Sequence, residues 1–413
     1  MASISPFRGL RYDTTVVGDL AAVTSPPYDV ISDDALRGFE EASPYNVVRL
    51  ILPREAAGQD KYMQAGETLR SWISAGALVR DEADSLTVYE QRFTVGGLER
   101  IQRGVLAAVT MDEGAVLPHE HTMRATVSDR LALLRATRTQ LSPVLCVYSA
   151  DDGGAREAVG SIADTPPVAE WRSEDDGVAH RAWRVDDPTA VGSIARTLAT
   201  ATVVIADGHH RYRTAQEYRD ERRQTDGPGP WDAMLLFLVD ADWCGPALLP
   251  IHRVVGVAAD EVRARAESAF DVEPAATSDP EALAEEVAVR REHGRCFALL
   301  GTDGAWWLTV ADKAAEADAL PDDRSPTWRD LDVAVLEWLV MRRLLVGAEA
   351  RYVHTATEAA ELVRSGEAGA AFLLAPPPFA SVRAVAEAGE SMPPKSTFFV
   401  PKPRTGVVFR LLD

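Results

Sequence analysis

The sequence predicts a mixed α/β protein of two units, and three observations lead there. The chain has 413 residues, more than one ordinary hydrophobic core organises. A short apolar run rich in β-branched residues, Ala201–Ala206, passes through Asp207-Gly208 into a helix-forming stretch at His209–Gln224. Beyond Val257, helical patterns near 260–270, 279–291, 331–345, 356–365 and 379–388 alternate with strand patterns. The strands fall at Cys296–Leu300, Trp306–Val310, Tyr352–His354 and Ala371–Leu374. The expected division is therefore 1–256, the catalytic region, and 257–413, an additional α/β unit that contributes the Lys395-Ser396-Thr397 loop.

Taken in order, the elements have local causes. Ser25-Pro26-Pro27-Tyr28-Asp29-Val30 is a stiff turn, because each proline restricts the residue before it. Lys61–Ala75 places Tyr62, Ala65, Leu69, Trp72 and Ile73 on one helical face, and Gly76 ends it. Leu86–Phe93 and Arg103–Thr110 read as strands joined through Gly96-Gly97. Asp129–Arg138 reads as a helix, and Pro143–Tyr148 and Met234–Val239 as buried strands. Asp151–Gly177, rich in Asp, Gly and Glu, reads as an exposed excursion.

Composition narrows the function. Lys and Arg total 43 against 63 Asp and Glu, a formal charge of -20 that repels nucleic acid and anionic membranes. A small anion is admitted only where basic groups cluster. Cys146, Cys244 and Cys296 are scattered, so a reducing compartment is expected. The opening residues lack the apolar run of a signal peptide, and no stretch has the length of a membrane span. The expectation is a cytoplasmic protein.

Four segments carry chemistry. In Asp207-Gly208-His209-His210-Arg211 a strand runs into a helix N-terminus, where backbone N–H groups favour an anion. Cations in the first turn oppose the helix dipole, so His209, His210 and Arg211 call for a compensating phosphate. The alternative is an Asp N-cap followed by surface histidines. In Pro118-His119-Glu120-His121-Thr122 the two histidines share a face if extended, and suit a metal or phosphate. The spacing excludes a zincin helix. Met392-Pro393-Pro394-Lys395-Ser396-Thr397, with Lys402 and Arg404 beyond, suits phosphate or is a basic loop. Tyr28 and Asp29 line a site or a structural turn. Asp129-Arg130 reads as a helix start or an anion contact, and Pro250-Ile251-His252-Arg253 as a strand edge. His180, His293 and His354 read as isolated surface or packing histidines.

Together these motifs resemble a known family. Pro6-Phe7-Arg8-Gly9, Pro26-Pro27-Tyr28-Asp29-Val30-Ile31, Ser43-Pro44-Tyr45-Asn46, His119-Glu120-x-Thr122, Asp129-Arg130, Asp207 to Tyr212, Pro250-x-His252-Arg253 and Met392 to Thr397 stand in its order. It is a widespread bacterial and archaeal family catalogued as a domain of unknown function, and the likeness runs from residue 6 to about 408. The Asp-Gly-His-His-Arg element is similar to the signature of the ParB/sulfiredoxin-like superfamily, which includes free-serine kinases. Some members of the full-length family are pyrophosphate-dependent L-serine kinases. The resemblance implies a ParB/sulfiredoxin-like catalytic core and phosphoryl transfer to free serine, giving O-phosphoserine.

The resulting expectation is a small-molecule kinase that uses pyrophosphate first and a nucleotide second. Asp207 leads as the base that accepts the serine proton, then Glu120, then Asp29, with His209 also catalytic. Gly208, His210, Arg211, Lys395, Ser396, Thr397, His119, Arg130 and Lys402 are expected on phosphate. Tyr28, Asp29, Thr122, His252 and Arg253 are expected on substrate, and Asp29 and Glu120 on Mg²⁺. No P-loop or protein-kinase signature is present, which fits a donor held by its phosphates. Two other readings stay open. One is a metal-dependent hydrolase with His119, His121, His209 and His210 as ligands and Glu120 as base. The other is a ParB-like regulatory or DNA-binding module, which the charge opposes. A homo-oligomer is compatible with all three.

Overall fold

The structure, a computed structural model, describes residues 2–55, 58–150 and 153–413. Asp151 and Asp152, at the start of the expected excursion, lie outside the described residues. The fold is mixed α/β and divides into two compact units, residues 1–247 with 401–413, and residues 248–400. The tail thus belongs with the first unit and not, as the linear order suggests, with 257–400. Its strand Arg410–Leu411 pairs with Thr139–Gln140, and Arg410 donates to the carbonyls of Ala233 and Pro230. A boundary drawn along the sequence cannot express such a return.

The first unit is organised by a nine-stranded sheet. Its order is Val116–Leu117, Thr202–Asp207, Val144–Ser149, Ala233–Asp240, Leu98–Thr110, Leu86–Val95, Ala179–Val185 and Ala169–Arg172, with Ile4–Ser5 added beside Leu98–Thr110. Thr202–Asp207 runs parallel to Val116–Leu117, and Ala233–Asp240 parallel to Val144–Ser149. The hairpin joining Leu86–Val95 to Leu98–Thr110 turns on Gly96 and Gly97, both at positive φ. One sheet face buries Val203, Ile205, Leu236, Leu238, Val105 and Ala107. Against them lie Ala155 and Val159, Ile194 and Leu198, and Tyr212 and Ala215. These pairs sit three or four residues apart on helices Gly154–Ala163, Pro188–Thr200 and His209–Asp226.

The expected excursion is therefore largely regular. Gly154–Ala163 is a helix and Ala169–Arg172 a strand, because Ala155 and Val159 keep a helical apolar stripe beneath a polar composition. Asp129–Arg138 is the second half of a longer helix, Arg124–Thr137.

The second unit has a six-stranded sheet ordered Phe270–Pro274, Gly304–Val310, Cys296–Gly301, Ala370–Leu373, His252–Val255 and Ala350–Val353, with every pairing antiparallel. Helices Pro280–Arg291 and Ala356–Arg364 bury Leu283, Val287, Ala359 and Val363 over it. The helical stretch expected at 331–345 is Asp332–Val335 followed by a π-helical run, Leu336–Leu344. His252–Val255 is hydrogen-bonded on both sides and so is an interior strand, not an edge. Among the described residues no helix is long and apolar enough to cross a membrane.

Candidate active site

The Thr202–Asp207 strand ends at the edge of the first unit's core, with a register shift between Ile205 and Asp207. Gly208 follows at φ +100° and caps helix His209–Asp226. Asp207 is therefore the last strand residue, and the cap is Gly208. A Cβ at 208 would stand 2.8 Å from the Arg211 guanidinium. Glycine both takes the left-handed backbone and leaves room for Arg211 to fold over it.

Arg211 is buried and folded back. It donates to Asp207 Oδ2 at 2.6 Å and to the carbonyl of Pro143. The first-turn cation is thus compensated within the turn, where the sequence called for an external anion. The other oxygen of Asp207 meets Lys402 Nζ at 2.6 Å. Lys402 also donates to Asp29 Oδ2 at 3.1 Å, in the Tyr28–Val30 turn. Burial pulls the Lys402 ammonium down, but Asp207 and Asp29 outweigh it and raise its pKa. Burial likewise pushes Asp29 up, and Lys402 and Arg211 hold it below the usual carboxylate range. The chain thus brings Asp29, Asp207, Arg211 and Lys402 into one charge cluster.

Tyr28 extends this wall. The Arg130 guanidinium lies 4.3 Å from its ring centre, and Arg130 is tied to Asp129 and to the carbonyl of Ile51. Asp129 is held in turn by the Tyr62 hydroxyl at 2.7 Å and Lys61 at 3.4 Å. Burial raises the Tyr28 phenol, so it stays protonated.

The histidines form a second wall. His209 is buried, and its Nε2 accepts the His119 amide at 3.3 Å. Its proton is therefore on Nδ1, which lies 3.7 Å from Glu120 Oε2. The His119 and His209 rings meet edge to face at 4.6 Å. Burial first, then His119, His210 and Arg211, depress the His209 pKa well below its ordinary value. Burial brings His119 down to about 4. His210 Nε2 accepts the Met123 amide at 2.9 Å. Glu120 is one-third exposed, at 34%. His121 and Thr122 are exposed, so His119 and His121 do not share the face an extended segment would give them. Among the described residues no three His, Cys, Asp or Glu groups are arranged to hold a metal.

The family described as a protein of unknown function, DUF1015, matches residues 4–334. The chain belongs to that family. No curated protein sequence matches it. Three solved structures are more distant. A free serine kinase in complex with AMP is 15% identical, with 71% of this chain and 87% of that chain covered and a TM-score of 0.36. A variant free serine kinase in complex with ADP is 14% identical, with the same coverage and TM-score 0.36. A conserved hypothetical protein from Pyrococcus furiosus is 14% identical, with 71% and 90% covered and TM-score 0.35. Scores of this size assign nothing to this DUF1015 chain.

The other residues singled out in the sequence lie in the second unit and meet one another there. Arg253 is buried and donates to the carbonyl of Lys395 at 2.9 Å and to that of Ile251. His252 Nδ1 accepts the Leu374 amide at 3.3 Å, and burial brings its pKa to about 4. Ser396 is buried and donates to the carbonyl of Pro393 at 2.5 Å. Lys395 is exposed at φ +55°, and Thr397 is half-buried. Arg253 and Ser396 thus brace the 393–396 turn through backbone carbonyls. In the first unit, no motif or composition signal points to Asp175. It holds the fully buried Arg404 at 2.7 Å, in a stretch that composition marked as solvent-exposed.

Proposed function

We propose that the chain is a phosphotransferase that moves a phosphoryl group to the hydroxyl of free L-serine, with pyrophosphate as the first donor and a nucleotide as the second. The observation that carries this reading is the Asp29–Lys402–Asp207–Arg211 cluster at the Gly208 helix start. The buried Arg211 and the partly buried Lys402, beside a helix N-terminus, suit the charge that spreads over a transferring phosphoryl group. The two carboxylates keep Lys402 charged and aimed before the donor arrives.

Asp207 is assigned a holding role, since each of its oxygens already meets a cation. Glu120 is the better acceptor for the serine proton, being partly exposed and lying beside a neutral His209. His209 orients rather than titrates, because its Nε2 is taken by the His119 amide. A Mg²⁺ ion bound with the donor would neutralise its phosphate charge and would need only one or two protein carboxylates besides the phosphates. Glu120 and the exposed edge of Asp29 can supply them.

The hydrolase reading is disfavoured by the same bonds. The Nε2 atoms of His209 and His210 already accept backbone amides, so these rings lack the free lone pairs of a ready ligand set. Incubation with L-serine, Mg²⁺ and separately pyrophosphate, ADP and ATP, followed by mass spectrometry, is expected to give O-phosphoserine with at least one donor. Absence of product with all three removes the kinase reading.

A further inference from the structure

The Lys402 side chain can sit between Asp29 and Asp207 only if its backbone is fixed, and the neighbouring sequence makes that difficult. Lys402 lies in Pro401-Lys402-Pro403. Pro403 confines it to extended conformations, and neither proline has an N–H to donate. The segment therefore offers mainly carbonyl oxygens, and donors must come from elsewhere. Two glutamines supply them. Gln102 Nε2 donates to the carbonyl of Pro401 at 3.1 Å, and Gln91 Nε2 to the carbonyl of Lys402 at 3.0 Å. Gln102 Nε2 also donates to Gln91 Oε1 at 2.7 Å, which locks the pair. Both are fully buried and directly opposed on the strands Leu86–Val95 and Leu98–Thr110.

Uncharged amides at two opposed, fully buried sheet positions are costly unless bonded, and apolar residues would fill the space at less cost. Here their donors converge on the two carbonyls that flank the Lys402 residue. Further along, Arg404 anchors the tail through Asp175 and the carbonyl of Thr24. Thr405 forms a backbone bridge with Ser25. Those contacts secure the tail, whereas the glutamines set the position of Lys402 itself.

We propose that Gln91 and Gln102 are positioning residues that act through Lys402, holding its backbone so that the ammonium is held between Asp29 and Asp207. The catalytic consequence rests on the phosphotransferase reading; the positional claim does not. The chain has four lysines, Lys61, Lys313, Lys395 and Lys402, so amine acylation followed by peptide mass spectrometry reads Lys402 cleanly. In the wild-type protein Lys402 is expected to be acylated at least about tenfold more slowly than the exposed Lys395. Gln91→Met and Gln102→Met keep length and remove the donor. Each is expected to raise Lys402 acylation about tenfold or more, with Lys61 and Lys313 unchanged. Each variant breaks two bonds, Gln91→Met those with the Lys402 carbonyl and with Gln102, Gln102→Met those with the Pro401 carbonyl and with Gln91, so either serves should the other fail to fold. In a serine phosphorylation assay the same variants are expected to lower kcat by about tenfold or more while KM stays within about twofold. Lys402 as protected in a folded variant as in wild type overturns the positional claim. Raised labelling with unchanged kcat overturns the catalytic consequence. If the wild-type protein makes no phosphoserine, the labelling alone decides the positional claim, and the phosphotransferase reading is what has failed.

Discussion

Asp207 illustrates how far a residue's neighbours decide its role. In the sequence it is a carboxylate before a histidine pair, and a base is a natural assignment. In the structure its oxygens are divided between Arg211 and Lys402, which makes it a strut between the two cations. Glu120→Gln is expected to lower kcat by ~10²–10⁴ with little change in KM, as removal of a base does. Asp207→Asn is expected to cost less in kcat and to raise KM, since it loosens Lys402 and Arg211 without removing a proton acceptor. Steady-state kinetics on the two variants checks the ordering, and a larger kcat loss in Asp207→Asn restores Asp207 as the base. The motif around Asp207 was legible because its partners Gly208, His209 and Arg211 are local. The pairing of Lys402 with Asp29 and Asp207 was not, because tertiary folding alone brings a tail residue to a turn near the start of the chain.

The strand–glycine–helix element depends on one backbone conformation. Gly208 sits at φ +100°, and an added Cβ meets Arg211 at 2.8 Å. Gly208→Ala is expected to destabilise the first unit by about 1–3 kcal/mol and to displace Arg211 from Asp207. Urea denaturation measures the first effect; stability equal to wild type would mean the turn relaxes freely. Elements of this kind were legible from apolar runs broken by glycine or proline. The helix Gly154–Ala163 was missed because a dense acidic and glycine composition masked its Ala155–Val159 stripe. The strand His252–Val255 reads as an edge because its charged and polar residues hide an interior position secured by hydrogen bonds on both sides.

Across the whole molecule, buried neutral histidines couple stability to pH. His119 lies in the first unit and His252 in the second, each brought to about 4 by burial. The unfolded chain takes up these protons near pH 6.5 and the folded chain only near pH 4, so stability falls as pH drops through that window. Each histidine contributes about 1.4 kcal/mol per pH unit there. Denaturation midpoints of both units are expected to fall between pH 7 and 5, and pH-independent midpoints would contradict neutral burial. In a molecule with an overall charge of -20, the charge-balanced Asp29–Lys402–Asp207–Arg211 cluster is where two cations are held together, and that cluster is the centre of the account. The most direct test follows ³¹P NMR of the full-length protein with L-serine, Mg²⁺ and pyrophosphate or a nucleotide, wild type beside Lys402→Met and Glu120→Gln. The account predicts a phosphoserine signal from the wild type that falls by ~10²-fold or more in both variants. Wild-type turnover in either variant, or no phosphoserine with any donor, would contradict it.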